Sequence, residues 1–455
     1  PRWNEMIRLA YKILVHALSP FVMLWFLWRG LHDRAYWQDL PQRLGFGQRL
    51  ARPSIWIHAV SVGEVQAAIP LLNALAERYP DHALVLTTVT PTGRLRGQTA
   101  FGDRVELRYL PYDLPGAVGR FFDRIQPKVA IIIEKELWPN LYRECGRRNV
   151  PLVLASAAVS PRSVARYRRL VVLFRETLSH GLVIAAQSAD DAARFVEIGA
   201  PAERTHMVGN IKFDASLPAG AVEAGLAWRA HYGAESRFVV VAGSTYEFEE
   251  RVLLEASEAL KRAGVESLFV LAPRHPTRFD AVAQALGRSG TPFLRHSLAK
   301  AEGLTDRAAG IDSSRHAPEV LLLDTLGELA GFYAAADVAY VGGSLLPGVG
   351  GHNALEPAAL GVPVLMGPHV FNTQEIFDAL HTAGGLQAVN SSAELTAALL
   401  TLARSPEERA QRGQAGQQVV ARNRGTTARI MQLLEPLMSP RSTRSPTHPS
   451  SAASR

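Results

Sequence analysis

Short apolar runs alternate with stretches of helical spacing along most of the chain. SIWIHAV (54–60) predicts a buried strand, and VQAAIPLLNALAERY (65–79) a helix that Pro80 stops. The runs ALVLTTV (83–89), VELRYLP (105–111), VAIIIE (129–134), PLVLAS (151–156) and GLVIAA (181–186) continue the series, with a helix near 115–125 between two of them. Fully apolar strands separated by helices predict a mostly parallel sheet covered on both faces. A polar, glycine-containing stretch around 214–225 follows, and then the design repeats. FVVVAGS (238–244), SLFVLAP (267–273), VLLLD (320–324), VAYVG (338–342) and VPVLMG (362–367) are the strands of a second sheet. Helices are expected over 328–336 and 355–360, with a last, irregular one over 406–436. The expected architecture is α/β, two facing Rossmann-like domains at 41–210 and 211–437. In such sheets ligands lie beyond the carboxyl ends of the strands, so two facing domains enclose a cleft for two substrates.

The ends of the chain follow neither pattern. Residues 438–455 are polar and rich in Pro and Ser, a composition that builds no core and predicts disorder. Within residues 1–40, Ile13 to Trp28 carry no formal charge and are flanked by Lys12 and Arg29. A spanning helix needs about 20 apolar residues, and Pro20 interrupts this run. The Trp and Phe content with basic flanks favours a segment lying in or dipping into a membrane interface; a single span and a helix buried against the protein are the alternatives. No small-residue cleavage site follows, which argues against a signal peptide.

Composition narrows the classes. The 455 residues, 47% apolar and 20% charged, suit two folded domains. A single cysteine, Cys145, excludes a disulfide framework and a thiolate metal cluster, and suits a reducing compartment. The net charge of +7 is concentrated at the start, where residues 1–60 hold eight Arg or Lys against three acids. No basic stripe interleaved with stacking aromatics or reading helix is present, so nucleic acid is not an expected partner. Basic residues around an apolar run point to anionic lipid.

The residues with chemistry to offer sit just after strands. SVGE (61–64) places Glu64 three residues after Ser61, which is both a capping-box signature and a position from which a carboxylate could take a proton from a hydroxyl. EKELWPN (134–140) sets Glu134 at a strand end, either to orient a substrate or to cap the next helix. TPTGR (90–94) opens a helix where amides and Arg94 would favour an anion, or simply forms a capped loop. In the second domain GST (243–245) and PRHP (273–276) bring Ser244, Arg274 and His275 to strand ends. The stretch 342–368, GGSLLPGVGGHNALEPAALGVPVLMGP, has glycines that permit a tight backbone wrap around a phosphate. Within it Gly351 precedes Asn353, a helix cap, and Glu356, which is placed to accept from sugar hydroxyls or to complete another capping box. It is neither GxGxxG nor a P-loop, so simple dehydrogenase and kinase readings lose their support. No tight His and acid cluster suggests a metal.

The ordered series HAVSVGE, TTVTPTGR, EKELWPN, GNIKFD, AGST, PRHP, LLLDTLGEL, GGSLLPGVGGHNALEPA and GPHVFN resembles the bacterial Kdo transferases, glycosyltransferase family 30, over nearly the whole chain to about residue 430. Kdo is 3-deoxy-D-manno-octulosonic acid. The resemblance implies the two-domain GT-B fold, an inverting reaction from CMP-Kdo to lipid IVA in lipopolysaccharide inner-core synthesis, no cofactor or catalytic metal, and attachment at the cytoplasmic face of the inner membrane. It implies Glu64 as general base and Glu134 as a second functional carboxylate. Arg274 would handle the CMP phosphate and Glu356 the ribose, with further contacts from Arg94, Ser244, His275, Gly351 and Asn353.

Three features depart from that pattern. Tyr246 and Phe248 stand where the family commonly has His and Gly, and Lys135 where it has Thr or Arg. LASAAVSPRS (154–163) lacks the Asn and Arg of the usual NARLS-like segment. The rival expectations are a GT-B enzyme with a UDP- or GDP-sugar donor, which donor preference would reveal, and a non-catalytic scaffold, against which the intact Glu64, Glu134, Arg274 and Glu356 count. The number of Kdo units transferred and the oligomeric state are not written in these motifs.

Overall fold

The computed structural model describes residues 2–134, 136–161, 163–164, 182–301 and 318–439. Lys135, Arg162, Gly181 and the tail beyond Ser439, all touched on above, lie outside the described residues. Contacts divide the chain into two units, one reaching Ala215 and resuming at Gly425, the other Ser216–Arg424.

In the first unit seven strands form a sheet in the order β3-β2-β1-β4-β5-β6-β7. They are β1 (Ser54–His58), β2 (Ala83–Thr88), β3 (Glu106–Tyr109), β4 (Pro127–Ile133), β5 (Leu152–Ala157), β6 (Leu182–Ala186) and β7 (Thr205–Met207). Every pairing is parallel. Alternation along a strand sends successive side chains to opposite faces, and both faces of β1 are buried. Trp56 packs edge-on against Phe121 and Phe122 in a core cluster that also holds Leu154, while Ile55 and Ile57 join Leu71 and Leu75 in the cluster on the other face. The Trp56 indole N–H donates to the Thr87 hydroxyl at 2.8 Å, so its burial leaves no orphaned donor.

The helices of this unit that matter below are α1 (Arg2–His32), α2 (Val62–Arg78), α3 (Pro91–Phe101) and α4 (Pro139–Arg147). Helix α1 runs unbroken through Pro20, contrary to the expected interruption. Proline removes one amide and orphans the carbonyl four residues back; here the Ser19 hydroxyl donates to that carbonyl, His16 O, at 2.9 Å. Residues Leu9–His32 are long and apolar enough to cross a membrane, with 6% of the most apolar stretch buried. The helix is attached to its unit by Phe26, buried against Tyr36 and Tyr112, and by Tyr11, whose hydroxyl donates to Asp113 at 2.8 Å. Arg43 is buried between the rings of Phe26 and Tyr109, at 4.2 and 4.1 Å, and donates to the Val89 carbonyl at 2.8 Å.

The second unit repeats the plan in the order β10-β11-β9-β8-β12-β13-β14, again with parallel pairings. Its strands are β8 (Phe238–Thr245), β9 (Ser267–Pro273), β10 (Phe293–Arg295), β11 (Val320–Leu322), β12 (Val338–Val341), β13 (Val364–Met366) and β14 (Leu386–Ala388). Helix α5 (Glu247–Arg262) follows β8 and α6 (Leu355–Ala359) follows the glycine-rich loop after β12.

Three short strands, β7, β10 and β14, had no counterpart in the sequence pattern, and each is an edge strand of three residues. The single helix expected over 406–436 is two, Pro406–Asn423 and Thr426–Met438, parted at Gly425, which adopts φ 92°. The domain limits change with it. The second unit ends at Arg424 rather than 437, because Ile430 and Leu434 are wholly buried in the core of the first unit beside Val65 and Ala68. The change-over from first to second unit falls after Ala215 rather than 210.

Candidate active site

In each unit the strand order reverses direction about the first strand, which places a crevice at the carboxyl ends of two neighbouring strands. In the first unit those neighbours are β1 and β4, paired through His58 and Ile132. Glu64 lies in the first turn of the helix after β1, and Glu134 directly follows β4. In the second unit the neighbours are β8 and β12, which carry Ser244 and the loop starting at Gly342. Among the described residues six non-glycines have positive φ; Glu134 (64°), Ser156 (54°) and Ser244 (58°) stand at such strand ends. Strained backbone of this kind persists where the surroundings enforce it, and clusters at working sites.

Glu64 is half-buried, and its two oxygens differ. Oε2 accepts from the Val60 amide at 2.7 Å, whereas Oε1 has a 3.5 Å contact with the Ser61 hydroxyl. Ser61 is the N-cap of α2 but its side chain makes no cap hydrogen bond, so only the acidic arm of the capping signature is used, and it serves Val60. Burial is the main cause that pushes the Glu64 pKa up to about 7, with the charges of Glu134 and Glu136 adding to it. The Val60 amide and Lys212 oppose the rise. Lys212, which the sequence placed in a motif without a role, reaches Glu134 Oε1 at 2.7 Å. Its short helical turn is held by Asn210 Oδ1, which accepts from the Lys212 amide at 3.0 Å, and by the Ser156 hydroxyl, which accepts from the Ile211 amide at 3.1 Å. Two carboxylates and one ammonium thus share the ends of β1 and β4. His58, buried just before them, has its pKa pushed down to about 4 by desolvation, and its Nδ1 lies 2.9 Å from the Thr87 hydroxyl.

Arg94 has other engagements. Its guanidinium meets Asp39 at 2.8 Å and donates to the Gln42 side chain at 3.2 Å, so it ties α3 to the segment that follows α1. The TPTGR turn is a capped loop, with Thr90 Oγ1 accepting from the Gly93 amide at 3.1 Å. Gly93 brings α3 close to the start of α2: an added Cβ would stand 2.5 Å from Thr88 Oγ1 and 3.5 Å from the Ser61 carbonyl carbon. Thr88 Oγ1 already donates to the Val60 carbonyl at 2.8 Å. Helix propensity alone makes Gly→Ala favourable by about 1 kcal/mol. Overpacking costs about 1–3 kcal/mol and here also breaks a hydrogen bond, so Gly93→Ala is expected to unfold at lower urea than the parent. An unchanged or higher midpoint would contradict this packing.

In the second unit Arg274 and His275 follow β9 and are exposed; the Arg274 amide donates to the Thr245 carbonyl at 3.0 Å. Tyr246 meets His275 edge-on, with ring centroids 5.9 Å apart, and lies parallel to His352 at the same separation. The His352 pKa is pushed down to about 4, by burial first and then by Arg274 and His275, so its imidazole is neutral at neutral pH and the fixed positive charge is that of Arg274. Gly351 closes the glycine-rich loop at φ 73°, its amide donating to the Gly343 carbonyl at 2.8 Å. The N-cap of α6 is Ala354 rather than Asn353; Asn353 Oδ1 accepts from the Leu355 amide at 3.0 Å from one residue ahead of the cap, and Glu356 stands half-buried on the helix. Sequence reasoning passed over Glu249, which is fully buried at the start of α5 and accepts from three successive loop amides. Its signal was available, an acid at the third position of a helix following a strand and a short turn.

Two parallel seven-stranded sheets, each with polar residues gathered at its switch point, make up the two Rossmann-like units of the GT-B fold. A glycosyltransferase from Rickettsia africae shares this fold, with a TM-score of 0.53 at 12% identity over 86% of this chain and 99% of its own. The sequence profile described as 3-deoxy-D-manno-octulosonic-acid transferase matches residues 38–215. The 3-deoxy-D-manno-octulosonic acid transferase of Haemophilus influenzae is 37% identical over 435 residues, 95% of this chain and 99% of its own. That of Bordetella pertussis is 37% identical over 440 residues, 94% and 98% of the two chains. The chain belongs to the Kdo transferase family, as its motifs led one to expect.

Proposed function

We propose that the chain transfers Kdo from CMP-Kdo to a hydroxyl of lipid IVA with inversion, and that Glu64 is the general base. The observation that carries the mechanism is the state of Glu64: one oxygen pinned by the Val60 amide, the other presented, and a pKa of about 7. A base poised near the working pH combines a useful deprotonated fraction with proton affinity. The acceptor oxygen attacks the anomeric carbon of Kdo while its proton passes to Glu64 Oε1. The bond from that carbon to the phosphate oxygen breaks, and its electron pair leaves on CMP. Arg274 meets the charge that grows on the phosphate, a role in which one preorganised group contributes about 3–4 kcal/mol. Glu134, paired with Lys212 at 2.7 Å, orients the acceptor.

The reading uses no cofactor and no catalytic metal; among the described residues no three His, Cys, Asp or Glu side chains gather to hold an ion. Ser244, Gly351, Asn353 and Glu356 belong to the donor side, and Arg94 to the acceptor side through its hold on the segment after α1. The apolar face of α1, with Phe21, Leu24, Trp28 and Leu31 exposed, attaches the enzyme to the cytoplasmic face of the inner membrane, where basic residues meet anionic lipid.

Mass spectrometry of lipid IVA after incubation with the protein and CMP-Kdo tests the substrates. Addition of one or more Kdo masses is the expected result. No addition by folded protein in lipid or detergent, with turnover of another nucleotide sugar, would replace the donor assignment.

A further inference from the structure

The first turn of α5 makes an unusual set of contacts with the glycine-rich loop. Glu249 Oε2 accepts from the amides of Gly343 at 2.8 Å and Tyr246 at 3.2 Å. Its Oε1 accepts from the amides of Ser344 at 3.0 Å and Leu345 at 3.1 Å, and from the Tyr340 hydroxyl at 2.8 Å. Successive amides converging on one point form a backbone nest, the arrangement that elsewhere receives phosphate. Here the anion is a side chain of the same unit, wholly buried. The far end of the loop is held by the same turn, since Tyr246 lies parallel to His352 with an interplanar angle of 4°. His352 in turn covers Gly343, where an added Cβ would come within 2.8 Å of the imidazole.

We infer that Glu249 is a positioning residue, an internal anion that presets the donor loop by filling the nest of Gly343–Leu345. The inference rests on the proposed assignment of this unit to CMP-Kdo and changes how the phosphate is held. The sequence suggested that the glycines wrap the phosphate with backbone amides, but those of 343–345 are engaged by a carboxylate. The phosphate is therefore left to groups outside that nest, Arg274 foremost. A loop set before the donor arrives has no ordering cost at binding and no reorganisation during bond breaking.

The test compares the full chain with Glu249→Ala and Glu249→Gln, reading hydrogen exchange at the loop amides and CMP binding by calorimetry, with and without sodium formate. The alanine variant vacates the nest. Its amides at 343–345 are expected to exchange about tenfold faster or more and CMP to bind about tenfold more weakly, since hydrogen bonds to a charged group are among the stronger ones. Formate, a carboxylate small enough for the vacated space, should restore a good part of both. Glutamine fills the space but turns its carboxamide NH2, a donor, toward donors, so CMP should weaken without rescue. Undiminished CMP affinity in folded Glu249→Gln would overturn the inference, as would a folded alanine variant with fast loop exchange that formate leaves unchanged. Should the alanine variant not fold, the glutamine variant decides alone. Failure of the parent protein to bind CMP would instead strike the donor assignment, while the exchange and formate measurements would still decide the role of Glu249.

Discussion

Glu64→Gln is expected to lower Kdo transfer by about 100- to 10,000-fold, the usual contribution of a positioned general base, while CMP binding stays as it was. Gln keeps an oxygen that can accept from Val60, so the start of α2 is retained and the loss is chemical. The parent should also show an acidic limb in kcat/KM near pH 7, because the carboxyl that titrates at about 7 is active only when ionised. That limb should vanish from the residual activity of the variant. Stability supplies an independent check with a definite sign. A carboxyl whose pKa is raised on folding stabilises the folded state fully below its unfolded value and loses that contribution as pH rises through about 7. The melting temperature of the Gln variant, relative to the parent, should therefore increase between about pH 4.5 and 7. Equal transfer by variant and parent would remove Glu64 from the base role and leave the substrates standing.

Lys212→Met is expected to move the same limb upward. Lys212 lowers the Glu64 pKa and holds Glu134 at 2.7 Å. Without the ammonium, Glu134 loses its counter-charge and the two carboxylates face each other with less compensation, which makes proton loss from Glu64 harder. Below the limb, each unit of upward movement removes about tenfold of the reactive carboxylate at a given pH. Activity should thus recover toward alkaline pH, a pattern that simple misfolding does not produce. Lys212→Arg keeps the charge and should leave the limb near its parental position. The pair is partly solvated, so its effect on overall stability is expected to be small. A pH-independent loss in Lys212→Met would show that Lys212 acts by contact rather than by charge.

Most of the fold was legible because central strands of parallel sheets are continuous apolar runs. SIWIH and VAIII are buried from end to end, and their order with intervening helices admits few topologies. The edge strands escaped because three residues with one neighbour carry no period. The break at Gly425 was hidden for another reason: 406–436 is helical on both sides, and only tertiary burial of Ile430 and Leu434 shows that its second half belongs elsewhere. In the site, Glu64 and Glu134 could be singled out because each follows an apolar strand. Their electrostatic partner could not, since Lys212 comes from a short turn 78 residues beyond Glu134 and is aimed by Asn210 and Ser156. Glu249 was hidden by resembling any acid near a helix start.

Asp214 accepts from the amides of both Gly425 and Thr427, so the last helix is fastened where the chain first leaves the first unit. The second unit is in effect a long insertion into the first, and order of synthesis then matters. Translation delivers the six strands β1 to β6 and the edge strand β7, but the residues that seal one face of that sheet emerge only after the 209 residues from Ser216 to Arg424 have been made. At about 5–20 residues per second that interval is roughly 10–40 seconds. During it the apolar patch around Val65, Ala68 and Leu72, together with the exposed apolar residues of α1, is uncovered on the ribosome. The first domain to be made is the last to be finished, which gives nascent-chain chaperones and the membrane surface time to act on it.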